Sequence, residues 1–269
     1  MMRRWRATLL ALVAPVACGM TIAAHGAPTR EAPRASARSS RSSVDALPAI
    51  VLVHGAFADA SGWDAVILSL QRKGYFVTAV QIPLRAYDED VAITRRVIEA
   101  QQGPVVVVGH SYGGAVITSA AAMNPNVKGL VYVAAFAPDG GEPIGAFNEK
   151  YPSALGAALR PDSAGFLYID RAKFRDVFAK DLSESQTRVM AATQKPLNGS
   201  VFAASPSVAA WHTVPTWYVV AQEDRAINPN LERYFAARMK ANTTEVKASH
   251  VVFMSHPEAI VGVIDLASH

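Results

Sequence analysis

The chain has 269 residues, of which 51% are hydrophobic and 18% charged, with one cysteine and a formal net charge of +4. This composition excludes a chain without a packed core, a collagen-like repeat and a coiled coil, and a single cysteine excludes a disulfide framework and any cysteine-based zinc site. The positive charge sits in the first 47 residues, where Arg3, Arg4, Arg6, Arg30, Arg34, Arg38 and Arg41 are set against only Glu31 and Asp45. The rest of the chain is close to neutral, so no nucleic-acid partner is expected.

Met1 to Arg6 is basic, and Ala7 to Ala17 is an apolar run containing Leu9, Leu10, Leu12 and Val13. Small residues follow, with candidate cleavage points after Ala24 and Ala27. This is the layout of a secretory signal peptide, expected over residues 1–27, and it predicts an exported protein, periplasmic or secreted. The apolar run is too short for a stable membrane span. Pro15-Val16-Ala17-Cys18 has proline where a lipobox carries leucine, so lipidation at Cys18 is the lesser alternative. Residues 28–47 mix Pro, Ala, Ser and spaced Arg without apolar periodicity, which predicts a flexible linker.

From residue 48 onward strand and helix patterns alternate. Ala49 to His54 is a continuous apolar run, the pattern of a strand buried on both faces. Helix is expected from Trp63 to Lys73, closed by Gly74, then strand from Tyr75 to Ile82 and helix from Asp88 to Gln102. Val105 to Val108 reads as strand, Gly113 to Met123 as a small-residue helix, and Val127 to Ala135 as strand. The rhythm breaks over residues 139–212, which show helical patterning without clear parallel strands. It resumes with strand Thr216–Ala221, helix Leu231–Met239, strand Thr243–Lys247 and helix Pro257–Ala267. The alternation predicts one α/β domain over 48–269: a mostly parallel sheet of about six strands, helices on both faces, and a helical cap inserted at about 139–212.

Gly109-His110-Ser111-Tyr112-Gly113-Gly114 directly follows a strand and opens a helix. In that context Gly-x-Ser-x-Gly reads as a nucleophile elbow, with glycines where side chains would strike backbone and Ser111 at a helix N-terminus. A serine hydroxyl needs a base and a group that orients the base. Downstream lie His212, His250, His256 and His269. His250 follows the last strand and is the candidate base, with His256 second. Asp224, after strand Thr216–Ala221, is the candidate acid; Glu223 is its neighbour and Asp139 an outside candidate. Two backbone amides must bind a developing oxyanion. Tyr112 supplies one, and Ala56, or Phe57 beside it, supplies the other from the loop His54-Gly55-Ala56-Phe57. Phe57, Phe136, Phe166, Tyr168, Phe178, Met190 and Trp211 are candidate substrate-lining residues, with packing of the cap the alternative for each.

These residues resemble the α/β-hydrolase superfamily, and within it the branch of plant methylesterases, hydroxynitrile lyases and pyrethroid-hydrolase-like bacterial esterases. The resemblance is carried by Val51 to Phe57 with Trp63, by Gly109 to Gly114, by Glu223 to Ile227, and by Ser249-His250 with Ser255-His256-Pro257. It spans about 48 to 269 and is thin across the cap. It implies that the acid is the Asp of the Glu-Asp pair, and that the first oxyanion donor follows the His-Gly pair. The lyases of the branch carry Lys after the catalytic His, and one group has Thr where this chain has Gly55; here Val251 follows His250. The expected activity is therefore serine-dependent, cofactor-free and metal-free hydrolysis of small to medium apolar carboxylic esters, with a small-molecule ester as the expected partner. Thioester hydrolysis, acyl transfer, haloperoxidation, cyanohydrin cleavage and non-catalytic ligand binding are the alternatives. No oligomeric state is indicated.

Overall fold

A computed structural model describes residues 47–269. The signal peptide expected over 1–27, Cys18 and all but the last residue of the expected linker lie outside the described residues. Six strands form one sheet: β1 (Ala49–Val53), β2 (Val77–Val80), β3 (Val105–His110), β4 (Val127–Val133), β8 (Thr216–Ala221) and β9 (Asn242–Val246). Their order is β2-β1-β3-β4-β8-β9 and every neighbouring pair is parallel. β1 and β3 are buried at every position, as strands covered by helices on both faces must be. The edge strand β9, Asn-Thr-Thr-Glu-Val, is polar and mostly exposed.

The covering helices are α1 (Asp64–Arg72), α2 (Tyr87–Glu99), α3 (Tyr112–Ala120), α7 (Pro229–Arg238) and α9 (Pro257–Ala267). α3 is buried along its whole length, and its small residues let it lie against the sheet. An added Cβ at Gly114 would stand 2.5 Å from Phe136 O. α7 starts from Asn228, whose side chain accepts from the Asn230 amide, and has Pro229 in its first turn. Element ends differ from the sequence expectation by a few residues. β4 stops at Val133 because Ala134 turns to φ +43°, and α2 stops at Glu99, ahead of Gly103 at φ +79°.

The segment between β4 and β8 holds α4 (Ala154–Ala158), α5 (Arg171–Phe178) and α6 (Glu184–Thr193), and also strands β5 (Leu159–Pro161), β6 (Phe166–Ile169) and β7 (Leu197–Asn198). These strands pair antiparallel in the order β5-β6-β7. Helical patterning alone did not announce this small sheet, because strands of two to four residues are too short to display a period. Among the described residues no helix is long and apolar enough to cross a membrane.

The chain order reverses at β1, which has β2 on one side and β3 on the other. The register pairs Val53 with Gly109, so the loop after β1 and the turn after β3 leave the sheet side by side. Crevices outside the carboxyl ends of strands at such a switch point are the usual binding place in open parallel sheets.

Candidate active site

Ser111 links β3 to α3 with φ +54° and ψ −123°. A side chain rarely holds that backbone unless its surroundings impose it. Here they do so by contact of backbone with backbone. A Cβ at Gly109 would meet Gly113 O at 2.6 Å, and one at Gly113 would meet Val53 O at 2.6 Å and His54 O at 2.7 Å. Hydrogen bonds complete the hold: Ser111 N donates to Val133 O at 3.1 Å, while Ser111 O accepts from Gly114 N and Phe136 N. Gly55 lies so close that its Cβ would stand 2.6 Å from Ser111 Cβ.

The tyrosine after the serine is anchored away from the turn. Tyr112 Oη donates to the buried Asp90 at 2.8 Å, and Asp90 also accepts from the Leu84 amide. Burial pushes the Asp90 carboxyl up and the Tyr112 phenol further up, and the Asp90 charge adds to the latter. The amides of Ala56, Phe57 and Tyr112 donate to no acceptor among the described residues, and Tyr112 is the first residue of α3. Free amides at a helix N-terminus attract negative charge.

Asp224 and His250 follow β8 and β9. His250 Nδ1 lies 2.5 Å from Asp224 Oδ2, with both side chains buried. The second carboxylate oxygen, Oδ1, accepts from the amides of Ala226 (2.6 Å) and Ile227 (2.9 Å), so the acid is locked in one orientation. His250 Nε2 and the Ser111 hydroxyl make no hydrogen bond among the described residues. Catalytic hydrogen bonds are often long without a ligand and tighten when substrate docks. The residue before the serine ties the two loops together: His110 Nε2 donates to His250 O at 3.0 Å, and the two rings stand 4.6 Å apart. Burial and then the nearby His250 hold the His110 pKa well below its usual range, so the ring is neutral with its proton on Nε2.

Two further buried groups support this edge. His54 Nδ1 donates to Gly55 O at 2.8 Å, and its Nε2 accepts from Ile82 N at 3.2 Å. Burial lowers its pKa to about 4. Glu232 lies behind the acid, with Oε2 accepting from Ala221 N at 3.0 Å. Burial, and next the charge of Asp224, push its carboxyl well above the usual range.

An open cavity of about 740 Å³ begins at Phe136 and Ala226. These are the residues whose amides hold Ser111 O and Asp224 Oδ1. Its other walls come from the inserted segment, including Leu155, Leu159, Leu167 and Phe202, and no charged side chain lines it. Ser111 and His250 are not part of its wall. Of the seven expected lining residues, Phe136 is in this wall and the other six are not. Phe178 packs instead on His250 at 4.9 Å and on Phe57 at 6.2 Å between ring centroids, so its ring covers the imidazole. Trp211 donates from Nε1 to Pro138 O and stacks on His212. Met190 is a half-buried residue of α6. On β6, Leu167 lines the cavity while Phe166 and Tyr168 do not, because successive side chains on a strand face opposite ways. That alternation was the available signal for Leu167; Phe202, in a 3-10 turn of five residues (Gly199–Ala203), offers none.

His256 is the N-cap of α9 and bonds Ser255 Oγ, and Asp139 pairs with the exposed His212; neither reaches the Asp224–His250 pair. Among the described residues no group of three or more His, Cys, Asp or Glu side chains is placed to hold a metal ion.

Comparison with known proteins agrees with this architecture. A probable hydrolase of Phoma sp. is 26% identical over 238 residues, covering 81% of this chain and 96% of the relative. A pyrethroid hydrolase of Sphingobium wenxiniae is 25% identical over 252 residues, covering 80% and 85%. The crystal structure of a pyrethroid hydrolase superposes with a TM-score of 0.73 at 22% identity, covering 82% of this chain and 98% of that one. The model of the alpha/beta hydrolase family matches residues 50–263, and the chain belongs to that family.

Proposed function

We propose that the chain is a serine-dependent carboxylic ester hydrolase acting on small to medium apolar esters. One observation carries the reading. His250 is fixed through Nδ1 to a buried, doubly anchored Asp224, which leaves Nε2 as the ring nitrogen available to a free serine hydroxyl held in strained backbone.

In this reading Ser111 Oγ attacks the acyl carbon as His250 Nε2 takes its proton, and Asp224 stabilises the imidazolium. The tetrahedral oxyanion is bound by the amides of Ala56 and Tyr112, each donor being worth about 3 kcal/mol in the transition state. Collapse returns the proton to the leaving alcohol. Water then attacks the acyl-enzyme, its proton going to Nε2 and on to Ser111 Oγ as the acid is released. The uncharged cavity beside Phe136 suits an apolar acyl or alcohol group. Hydrolysis is favoured over cyanohydrin cleavage because Val251, buried, stands where the lyases carry a cation.

The test is Ser111→Ala assayed on a short p-nitrophenyl ester, with at least a ~10³-fold loss of turnover expected. A p-nitrophenyl phosphonate should label the wild type stoichiometrically and the variant not at all, which separates an enzyme from a ligand-binding protein on the same fold. Export is part of the proposal: amino-terminal sequencing of the mature protein should begin after Ala24 or Ala27.

A further inference from the structure

The loop that carries His250 is held partly from the inserted segment. Asp181 lies between α5 and α6. Its Oδ2 accepts from the Ser249 amide at 2.9 Å and from Ser255 Oγ at 2.8 Å, and its Oδ1 accepts from Ser249 Oγ. These donors bracket the imidazole in sequence: Ser249 directly precedes His250, and Ser255 ends α8 (Val252–Ser255), the short helix that follows.

The Ser249 amide has no other acceptor among the described residues, and no cation is paired with Asp181 among them. Burial opposes ionisation of this carboxyl, but the bonds from Ser249 and Ser255 outweigh it and hold the group below its usual range. Hydrogen bonds to an ionised acceptor are the stronger kind. From the same corner, three residues earlier, Phe178 covers the His250 ring.

We infer that Asp181 is a positioning residue for His250, a carboxylate of the inserted segment that sets where the base stands relative to Ser111. The inference rests on the reading of His250 as the base. Two parts of the insertion thereby take different roles. The α5–α6 corner belongs to the mount of the base, while the walls around Leu167 and Phe202 select substrate. Sheet-side contacts fix the imidazole through Asp224 and the His250 carbonyl through His110. Asp181 alone among the described residues fixes the amide before it.

The experiment measures kcat and KM on a short p-nitrophenyl ester, and the rate of phosphonate labelling of Ser111, for Asp181→Ala, Asp181→Asn and Ser255→Ala. Thermal unfolding and titration of active sites accompany each. Asp181→Ala should lower kcat and the labelling rate by about 10²-fold, the usual cost of an ångström-scale misplacement. KM and the number of titratable sites should change little. Ser255→Ala removes one bond of three, and Asp181→Asn keeps the size without the charge; both should fall between wild type and Asp181→Ala. Wild-type kcat in Asp181→Ala overturns the inference. So does a loss confined to KM, or a loss that follows the fraction of folded protein while Ser255→Ala is unaffected. Failure of the serine-hydrolase reading looks different: Ser111→Ala stays active and the wild type takes up no label.

Discussion

The carboxyl edge around β1 and β3 and the segment inserted between β4 and β8 are built by different physics. At the edge, backbone lies on backbone. Gly113 approaches the carbonyls of Val53 and His54, Gly55 approaches Ser111, and the strands beneath are buried on both faces. The insertion is made of short helices, strands of two to four residues and half-buried side chains. It is tied down at a few polar points. Arg238 of α7 grips Glu142 through two nitrogens at 2.9 and 3.0 Å, the Asn198 amide donates to Leu84 O, and Lys195 donates to Ile82 O. Close-packed backbone has no alternative arrangement of similar energy, whereas side-chain walls can be exchanged without moving the frame. In the proposed reading, the edge together with the α5–α6 corner that mounts His250 holds the reaction geometry, and the remaining walls of the insertion set substrate choice.

Five substitutions can break or sharpen that contrast. After Ser111→Ala, the largest effect is expected from Gly113→Ala. Its methyl would meet two carbonyl oxygens that cannot yield, so a loss of about 3 kcal/mol or more in stability is expected, together with loss of turnover. Urea unfolding and the ester assay check both, and a stable, fully active variant would refute the rigid-edge account.

Next comes His54. Folding lowers its pKa to about 4, chiefly by burial, against about 6.5 in the unfolded chain. The unfolded state therefore binds the proton first as pH falls. This contribution is complete above pH 6.5 and is lost as pH drops through 4, about 3 kcal/mol in all. Unfolding curves at several pH values should show the stability gap between wild type and His54→Gln narrowing toward acid. His110 acts with the same sign, so the variant removes only its own share of the slope.

The insertion should respond otherwise. Leu167→Ala widens the cavity and should change the preference between a long and a short acyl ester by about tenfold, with turnover of the shortest ester nearly unchanged. Tyr168→Ala, one position along β6 and outside the cavity wall, should leave that ratio alone. Equal effects of the two would contradict the assignment of faces. The smallest effect belongs to the exposed pair Arg85–Glu89 on and before α2, where Glu89→Gln should cost no more than about 0.5 kcal/mol.

The parts legible in the sequence are those that local rules constrain. Continuous valine and isoleucine runs mark β1 and β3 because a doubly covered strand has no polar face to show. Glycines at 109 and 113 mark the turn because nothing larger fits between those backbones. The pairing of Asp224 with His250 was legible because each stands in the loop after a strand of the alternating pattern. Which side chains face this cavity was not legible, because aromatic size says nothing about which way a short strand or a tight turn faces. Phe166 and Tyr168 drew attention for their rings, while Leu167 between them forms the wall.

From its residues alone, this chain declares a parallel sheet, a serine presented at a strand-to-helix bend, and the order of the groups that follow it. Those features depend on steric fit and burial within short stretches, and the residue types record them. Folding in three dimensions decided the rest: that His110 would hold a carbonyl 140 residues away, that Asp181 would hold the amide of Ser249 across 68 residues, and that burial would raise the Glu232 carboxyl behind Asp224. Such pairings arise where separate elements happen to meet, and a hydrogen bond or a shifted proton exists only once packing has removed the water between them.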